Sequence, residues 1–487
     1  MPDAALAGRT DNRSTAIFVG GIVAIGCALR LFHLGTQSFW LDEALSVAYA
    51  RLSWPQFVHL TVARELNMLP YYLLLRGWIR LGSEEGIVRS LSAVCSIATL
   101  PLMYRLGKRL LGARAGLIAV TLLALNPYHI RFAQEARGYS LMLLLITGST
   151  LLLVRAVASA SRHSVALWVA YVVTSALAAY AHFYAGLAVL AQWTSVAIIR
   201  PGGLPTRAFA LAAVAIGVLL LPIAAFVLLG HADPATWIPI PTVRRVEYLV
   251  YSLLGGDNTT GARVFAYPAL LAALLAAGFG ARAAWRADRR DNAAWHFALI
   301  VAGTTVPIVL VLAASLIKPI FVDKYLGECL PFAVLLLAAG LDRLRPRALS
   351  VGAGVLILAS SIHADVFYYR QPDKDDWRAA TEYVVASAQP GDDVLFFPRF
   401  VSAPFDYYRA SLRATTQVAV VIYPGTLGEA DIEDALSGLG HDHGRLWALF
   451  NQDGRAGAAV RDSLAHRFPI LSDRQFTGVR VLLYDLR

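Results

Sequence analysis

Apolar runs of membrane length recur along most of this chain, and they leave few folds open. They cover residues 16–34, 88–106, 114–130, 138–155, 165–181, 183–199, 208–229, 264–285, 295–316, 325–341 and 348–366. A helix needs about 20 apolar residues to cross a bilayer. Inside the bilayer the backbone must satisfy its own hydrogen bonds, which restricts spanning structures to helices and closed barrels. The chain is 57% hydrophobic and 16% charged, against about 25% charged in ordinary soluble domains. These runs predict a polytopic α-helical membrane protein and exclude a soluble enzyme on a single anchor. The first run resembles a signal sequence but lacks a convincing cleavage site, so it is expected to remain as the first span.

The basic residues set the expected topology. LPYYLLLRGWIRLG (70–83) is short, and Arg76 and Arg80 lie one helical turn apart on it. That fits a helix lying in the interface. With 70–83 left out of the span count, the clusters at 105–114, 155–162, 200–207, 286–291 and 342–347 all fall on one side with the N-terminus. The positive-inside rule then gives about eleven spans, N-terminus in and C-terminus out. The opposite side receives the 35–87 loop, 126–139, the turn 181–184, the loop 230–263 and 318–325. These are the aromatic and mixed-charge segments, and together they define a candidate active face.

The tail reads differently. From residue 367 onward there are 13 basic and 16 acidic residues, whereas the whole chain carries a net charge of +10. That contrast marks 367–487 as a water-facing domain outside the 1–366 transmembrane domain. Its pattern predicts helices over DKDDWRAATEYVVASAQ (with Asp373 as a cap), EADIEDALSGL and AVRDSLAHRF. It predicts strands over DDVLFFP, QVAVVIYP, RLWALFN and VRVLLYDL, hence a small α/β sheet domain. No Gly-rich phosphate loop follows these strands, which argues against nucleotide binding there. Cys27, Cys95 and Cys329 all lie in expected spans, so no disulfide framework is predicted. The positive charge lacks the long basic tract of a nucleic-acid binder, and no nucleic-acid partner is expected.

Several polar residues stand out. Asp42 and Glu43 follow the first span in QSFWLDEALSVAYA. A charge carried into the bilayer costs roughly 2.5–3.5 kcal/mol, so an adjacent acid pair at its mouth suggests an acid–base site. Acids also favour the first turn of a helix, and a capping role is compatible with the same position. Glu135, Arg137 and Tyr139 crowd the entry of the 138–155 span, where Glu135 and Arg137 could pair with each other. His182 sits in a tight turn, and imidazole binds phosphate or metal. Lys324, beside Tyr325, either snorkels or serves as a point charge toward phosphate, and Arg30 poses the same choice. His441-Asp442-His443 reads as a solvated turn.

Taken in order, these residues form a pattern. Trp40-x-Asp42-Glu43, Pro70-Tyr71-Tyr72-Leu73-Leu74-Leu75, Gln134-Glu135-Ala136-Arg137-x-Tyr139-Ser140, His182-Phe183-Tyr184 and Phe321-Val322-x-Lys324-Tyr325-Leu326 fall on one expected face. The pattern resembles the GT-C membrane glycosyltransferases, specifically the bacterial relatives of protein O-mannosyltransferases (dolichyl-phosphate-mannose-protein mannosyltransferase-like) and of the lipid A aminoarabinose transferase. The resemblance implies a polyprenyl-phosphate sugar donor, a hydroxyl acceptor (lipid, polysaccharide or protein), and inverting transfer of a hexosyl or pentosyl group. It places that reaction on the outer face of a bacterial inner membrane. It makes Asp42 the general base. Glu43 and Glu135 would position acceptor or sugar, with Asn67, Tyr71 and Tyr139 among the substrate-binding residues. Arg137, His182 and Lys324 would neutralise the departing lipid phosphate, with Tyr325 beside it. Relatives often carry His-Pro-Pro where this chain has Asn67-Met68-Leu69-Pro70. Asn67 is a poor metal ligand, which counts against a metal bridging that position to His182; the cofactor stays open, a divalent metal being compatible with the sequence but not required by it. Relatives often carry Arg where Lys324 stands, and Lys keeps the charge without the bidentate fork.

Two other classes compete. A transporter or flippase of a lipid-linked precursor would place charged sites near the midplane, often in repeated halves. This chain shows no internal repeat, and its acids cluster on one face. A structural assembly subunit would use the tail for docking and would be insensitive to the outer-loop acids.

Overall fold

The computed structural model describes residues 2–159, 164–229, 238–256, 266–286, 292–371, 374–398, 401–412, 419–421, 444–451 and 455–487. In chain order the helices are α1 (Pro2–Leu31), α2 (Leu41–Arg51), α3 (Trp54–Ala63), α4 (Leu69–Trp78), α5 (Glu85–Leu111), α6 (Ala113–Ala124), α7 (Pro127–Ala133), α8 (Tyr139–Val157), α9 (Ser164–Ala181), α10 (Ala185–Ile198), α11 (Thr206–Leu229), α12 (Val243–Leu253), α13 (Ala266–Arg286), α14 (Ala293–Ser315), α15 (Leu330–Arg343), α16 (Arg347–Arg370), α17 (Trp377–Ser387), α18 (Ser402–Ser411) and α19 (Arg455–Arg467). A 3-10 stretch, Asp323–Cys329, leads into α15. The strands are β1 (Asp393–Phe397), β2 (Ala419–Val421), β3 (Arg445–Asn451), β4 (Ile470–Phe476) and β5 (Val479–Asp485). The expected cap at Asp373, the helix at 429–439 and the 441–443 turn lie outside the described residues, as does most of the 286–291 cluster.

Each apolar run of the sequence falls on helical structure, 114–130 on two helices and 325–341 on a 3-10 stretch followed by α15. Among the described residues, eight helices are long and apolar enough to cross a membrane, and α6 and α10 are shorter apolar helices. The chain is a multi-pass membrane protein. α4 has ten residues and is about 15 Å long, half the hydrocarbon thickness. Its Arg76 guanidinium lies 4.7 Å from the Phe57 ring centroid on α3.

One expected span is broken. Residues 114–130 form two helices, because Asn126-Pro127 interrupts them. Proline lacks an N–H and pushes the preceding residue out of helical geometry. Asn126 then caps α7, its side-chain oxygen accepting from the His129 N–H at 3.0 Å. The break leaves α6 carbonyls without helical partners, and Arg30 supplies donors to them. Its guanidinium, fully buried, donates to Ala124 O at 3.0 Å and Leu123 O at 3.2 Å, and also to Ser96 Oγ and Gly26 O. Arg30 therefore neither snorkels nor faces a ligand; it holds α1 to the end of α6.

The chain divides into two compact units. The first, residues 1–32, 53–78 and 89–370, contains the bundle. Here α8 packs on α9, α10 on α14, and both α6 and α13 on α15. α15 is buried from Leu330 through Leu341, which is why its sequence is apolar all round. Small residues permit close approach of α5 and α6. A Cβ on Gly116 would stand 2.7 Å from the Lys108 nitrogen, and the turn between the two helices needs Gly112 at φ +102°.

The second unit comprises residues 33–52, 79–88 and 371–487. The expected 35–87 loop is therefore divided, its two ends grouping with the tail. The sheet order is β2-β1-β3-β5-β4. β1 pairs in parallel with β2 and β3, while β5 is antiparallel to β3 and β4. Leu395, Leu446, Phe450, Val460, Leu464, Leu482 and Tyr484 share its core. Asp376 caps α17, accepting from the Ala379 N–H at 3.2 Å. β4 was not expected from the sequence; it is an edge strand with a mostly exposed, polar run, ILSDRQF.

Candidate active site

In the bundle unit, the turn between α9 and α10 brings together residues from four distant segments. Asn67, Arg137, His182 and Tyr325 line one cavity of about 740 Å³, along with Arg64 and Glu65. Phe226 and Val227 of α11 and Leu310, Val311 and Ala314 of α14 form its apolar wall. The lining thus combines charged and hydrogen-bonding side chains with hydrocarbon.

Local chemistry fixes each side chain. Asn67 Oδ1 accepts from the Phe183 N–H at 3.1 Å, tying the segment before α4 to the His182 turn. Tyr71 is buried, does not line the cavity, and shares a 2.9 Å hydrogen bond with Ser92, whose hydroxyl donates to the Arg137 carbonyl at 3.3 Å. The Arg137 guanidinium donates to Tyr72 Oη at 3.2 Å. Gly138 allows this packing: a Cβ there would meet the Ala181 carbonyl at 2.7 Å. Tyr139 packs on both His182 and Tyr325, with ring centroids 5.5 and 6.5 Å apart. Tyr325 in turn lies 5.0 Å from the His182 ring. Lys324 is anchored through its carbonyl, which accepts from Tyr128 Oη at 2.9 Å, and its ammonium lies 5.8 Å from the Tyr325 ring. Glu135 is buried, its Oε1 3.9 Å from Arg131 Nε.

His182 carries the most informative electrostatics. Burial, then the charges of Arg137 and Lys324, pull its pKa down to about 3. The ring is neutral near pH 7. Its Nδ1 accepts from the Tyr184 N–H at 3.4 Å, which leaves the proton on Nε2. Nε2 is buried and has no hydrogen-bond partner among the described residues. A buried donor without an acceptor is costly, and an anionic oxygen would satisfy it. A metal fits less well. Glu65 and His182 line the cavity, short of the three protein ligands usual at catalytic zinc sites. Among the described residues no group of three or more His, Cys, Asp or Glu side chains is placed to hold a metal ion.

Asp42 and Glu43 lie in the other unit, on the first turn of α2. Asp42 is half-buried and its carbonyl accepts from Ser46 Oγ at 2.8 Å. Glu43 is fully buried, 3.1 Å from the Lys374 ammonium. Two neighbouring anchors hold the same segment. Ser38 Oγ donates to the Asp375 carbonyl at 2.5 Å, and the Phe39 N–H donates to Tyr408 Oη at 2.6 Å. Sequence reading missed Arg64 and Glu65 on the cavity wall and gave Tyr184, part of the motif, no role of its own. Charged residues just before Asn67 were the available signal for the first two.

The fold is that of the GT-C membrane glycosyltransferases. A family model described as dolichyl-phosphate-mannose-protein mannosyltransferase matches residues 68–228. The crystal structure of ArnT from Cupriavidus metallidurans in the apo state superimposes with a TM-score of 0.61 at 12% identity, covering 96% of this chain and 98% of ArnT. The same protein bound to undecaprenyl phosphate gives 0.60 at 13% identity, over 96% and 97% of the two chains. The archaeal oligosaccharyltransferase AglB from Archaeoglobus fulgidus, in complex with an inhibitory peptide and a dolichol-phosphate, gives 0.55 at 10% identity, over 91% and 70%. No curated protein matches by sequence.

Proposed function

We propose that this chain is an inverting glycosyltransferase that moves a sugar from a polyprenyl-phosphate donor to a hydroxyl acceptor at the outer face of a bacterial inner membrane. The observation that carries this reading is the cavity, whose lining divides between polar groups (Arg64, Glu65, Arg137, His182) and an apolar wall from α11 and α14. An amphiphile with an anionic head and a hydrocarbon tail matches that division. Support also comes from the family model over 68–228, and from the ArnT and AglB structures with polyprenyl phosphates bound.

In the proposed reaction the acceptor oxygen attacks the anomeric carbon while Asp42 takes the hydroxyl proton. The bond from the anomeric carbon to the phosphate oxygen breaks, and its electron pair stays on the phosphate. Arg137 and Lys324 offset that developing charge, and the Nε2 proton of His182 hydrogen-bonds it. Positive groups placed where charge develops are often the largest catalytic contribution. Glu43, buried against Lys374, holds the α2 turn that carries Asp42 rather than touching substrate, and Glu135 positions acceptor or sugar. Transfer would be assayed in membranes with a panel of polyprenyl-phosphate hexoses and pentoses, with separate detection of free polyprenyl phosphate. Release of polyprenyl phosphate with a glycosylated acceptor supports the reading. Movement of intact lipid-linked sugar across the bilayer without release would refute it in favour of a flippase.

A further inference from the structure

We propose that Arg105, Arg109 and Arg155 form a binding site for the phosphate headgroup of an anionic phospholipid, at the membrane boundary opposite the transfer site. The three arginines come from two of the basic clusters, on α5 and α8, and line one cavity of about 460 Å³ with Leu151, Leu167 and Ala158. α8 begins at Tyr139, against His182, and runs for 19 residues to Val157. That is about 28 Å at 1.5 Å per residue, roughly the hydrocarbon thickness. The cavity is therefore at the far end of the span from the candidate active site.

The charges are arranged against their own interest. Arg105 and Arg109 are four apart on one helix, a like-charged spacing that costs about 0.2–0.5 kcal/mol. Arg155 adds a third positive charge at the same cavity. Among the described residues none of the three has a carboxylate partner, whereas Arg114 nearby pairs with Asp342 at 3.4 Å. Topology requires only that basic residues lie at this boundary. It does not require three exposed guanidiniums to line one cavity with no carboxylate partner among the described residues. Guanidinium forks match phosphate oxygens, and basic pockets between spans on the cytoplasmic side suit anionic headgroups. Leu151 and Leu167 give the cavity an apolar wall for the start of an acyl chain, which favours a lipid over a soluble phosphate.

The test uses the full-length protein in zwitterionic detergent, with phosphatidylglycerol binding counted by native mass spectrometry. Arg105→Gln, Arg109→Gln and Arg155→Gln together should weaken binding about a hundredfold, near fivefold per arginine. A control variant removing the same charge elsewhere, Arg207→Gln, Arg345→Gln and Arg347→Gln, should bind as the parent does. If the triple variant fails to fold, Arg155→Gln alone should still show about a fivefold loss. Equal retention by parent and cavity variant would overturn the site. Equal loss in the control would reduce it to diffuse charge, and displacement by millimolar inorganic phosphate would overturn the lipid assignment. None of these readouts depends on glycosyl transfer.

Discussion

Replacing Lys374 by Met should loosen α2, the helix that carries Asp42. Lys374 is 3.1 Å from the Glu43 carboxylate, and their side chains are 7% and 0% exposed. Removing one partner of a buried ion pair costs about 3–5 kcal/mol, because the other charge stays buried. Proton uptake by the Glu43 carboxyl caps that cost. At pH 7, protonating a group with an aqueous pKa near 4.3 takes about 3.7 kcal/mol. The expected opening of α2 is therefore up to about 500-fold more frequent at pH 7, as a free energy of that size implies. At pH 5 the cap falls to about 1 kcal/mol, so the effect shrinks to roughly fivefold. Amide hydrogen exchange over Ala44–Arg51 in the full-length protein measures this directly, with each variant referred to the parent at the same pH. The double variant Glu43→Gln, Lys374→Met should recover most of the protection, since it leaves no buried charge. A single variant whose α2 amides exchange as slowly as the parent's at pH 7 would refute the reasoning, as would an effect that grows on acidification.

Three further outcomes follow from the bundle unit. Lys324→Ala should raise the apparent donor KM well above any change in acceptor KM, measured in steady-state transfer; equal changes would remove Lys324 from the phosphate. His182 is held neutral to about pH 3 in the folded protein, but protonates near 6.5 when unfolded. The unfolded chain thus binds the extra proton between those values, and stability falls as pH drops below about 6.5. Thermal unfolding of His182→Asn from pH 7.5 to 5 should lose part of that slope. Arg30→Met strips donors from the Leu123 and Ala124 carbonyls, each costing about 1–3 kcal/mol if left buried and unsatisfied. Its melting temperature in detergent should fall clearly, with the α6 end exchanging first.

Helices were legible in the sequence wherever one physical rule acted locally. Membrane-length hydrophobicity located α5, α8, α14 and α16, because a span is set by its own composition. The break between α6 and α7 was written in Asn126-Pro127 but masked by apolar neighbours on both sides. In the tail, RLWALFN coincides with β3 because a buried central strand is continuously apolar. β4 escaped because an exposed edge strand is free to be polar. Counting basic clusters put Asn67, Arg137, His182 and Tyr325 on one face, and the folded chain gathers all four around one cavity. Lys374 was invisible as the partner of Glu43, since 331 residues separate them and no periodicity reports such a contact. Arg30 shows the same limit. Its charge near a helix end fitted a ligand or a snorkelling role, and only the carbonyls of a helix 93 residues away identify its partner.

Asp42 is the residue on which the proposed chemistry turns, and Asp42→Asn tests it most directly. The side chain keeps its size and loses the ability to accept the acceptor's proton. The variant should insert and fold as the parent does, bind polyprenyl phosphate with unchanged affinity, and lose transfer by about 100-fold or more, the scale of a general base. Transfer at the parent's rate by a folded, donor-binding Asp42→Asn protein would contradict the account.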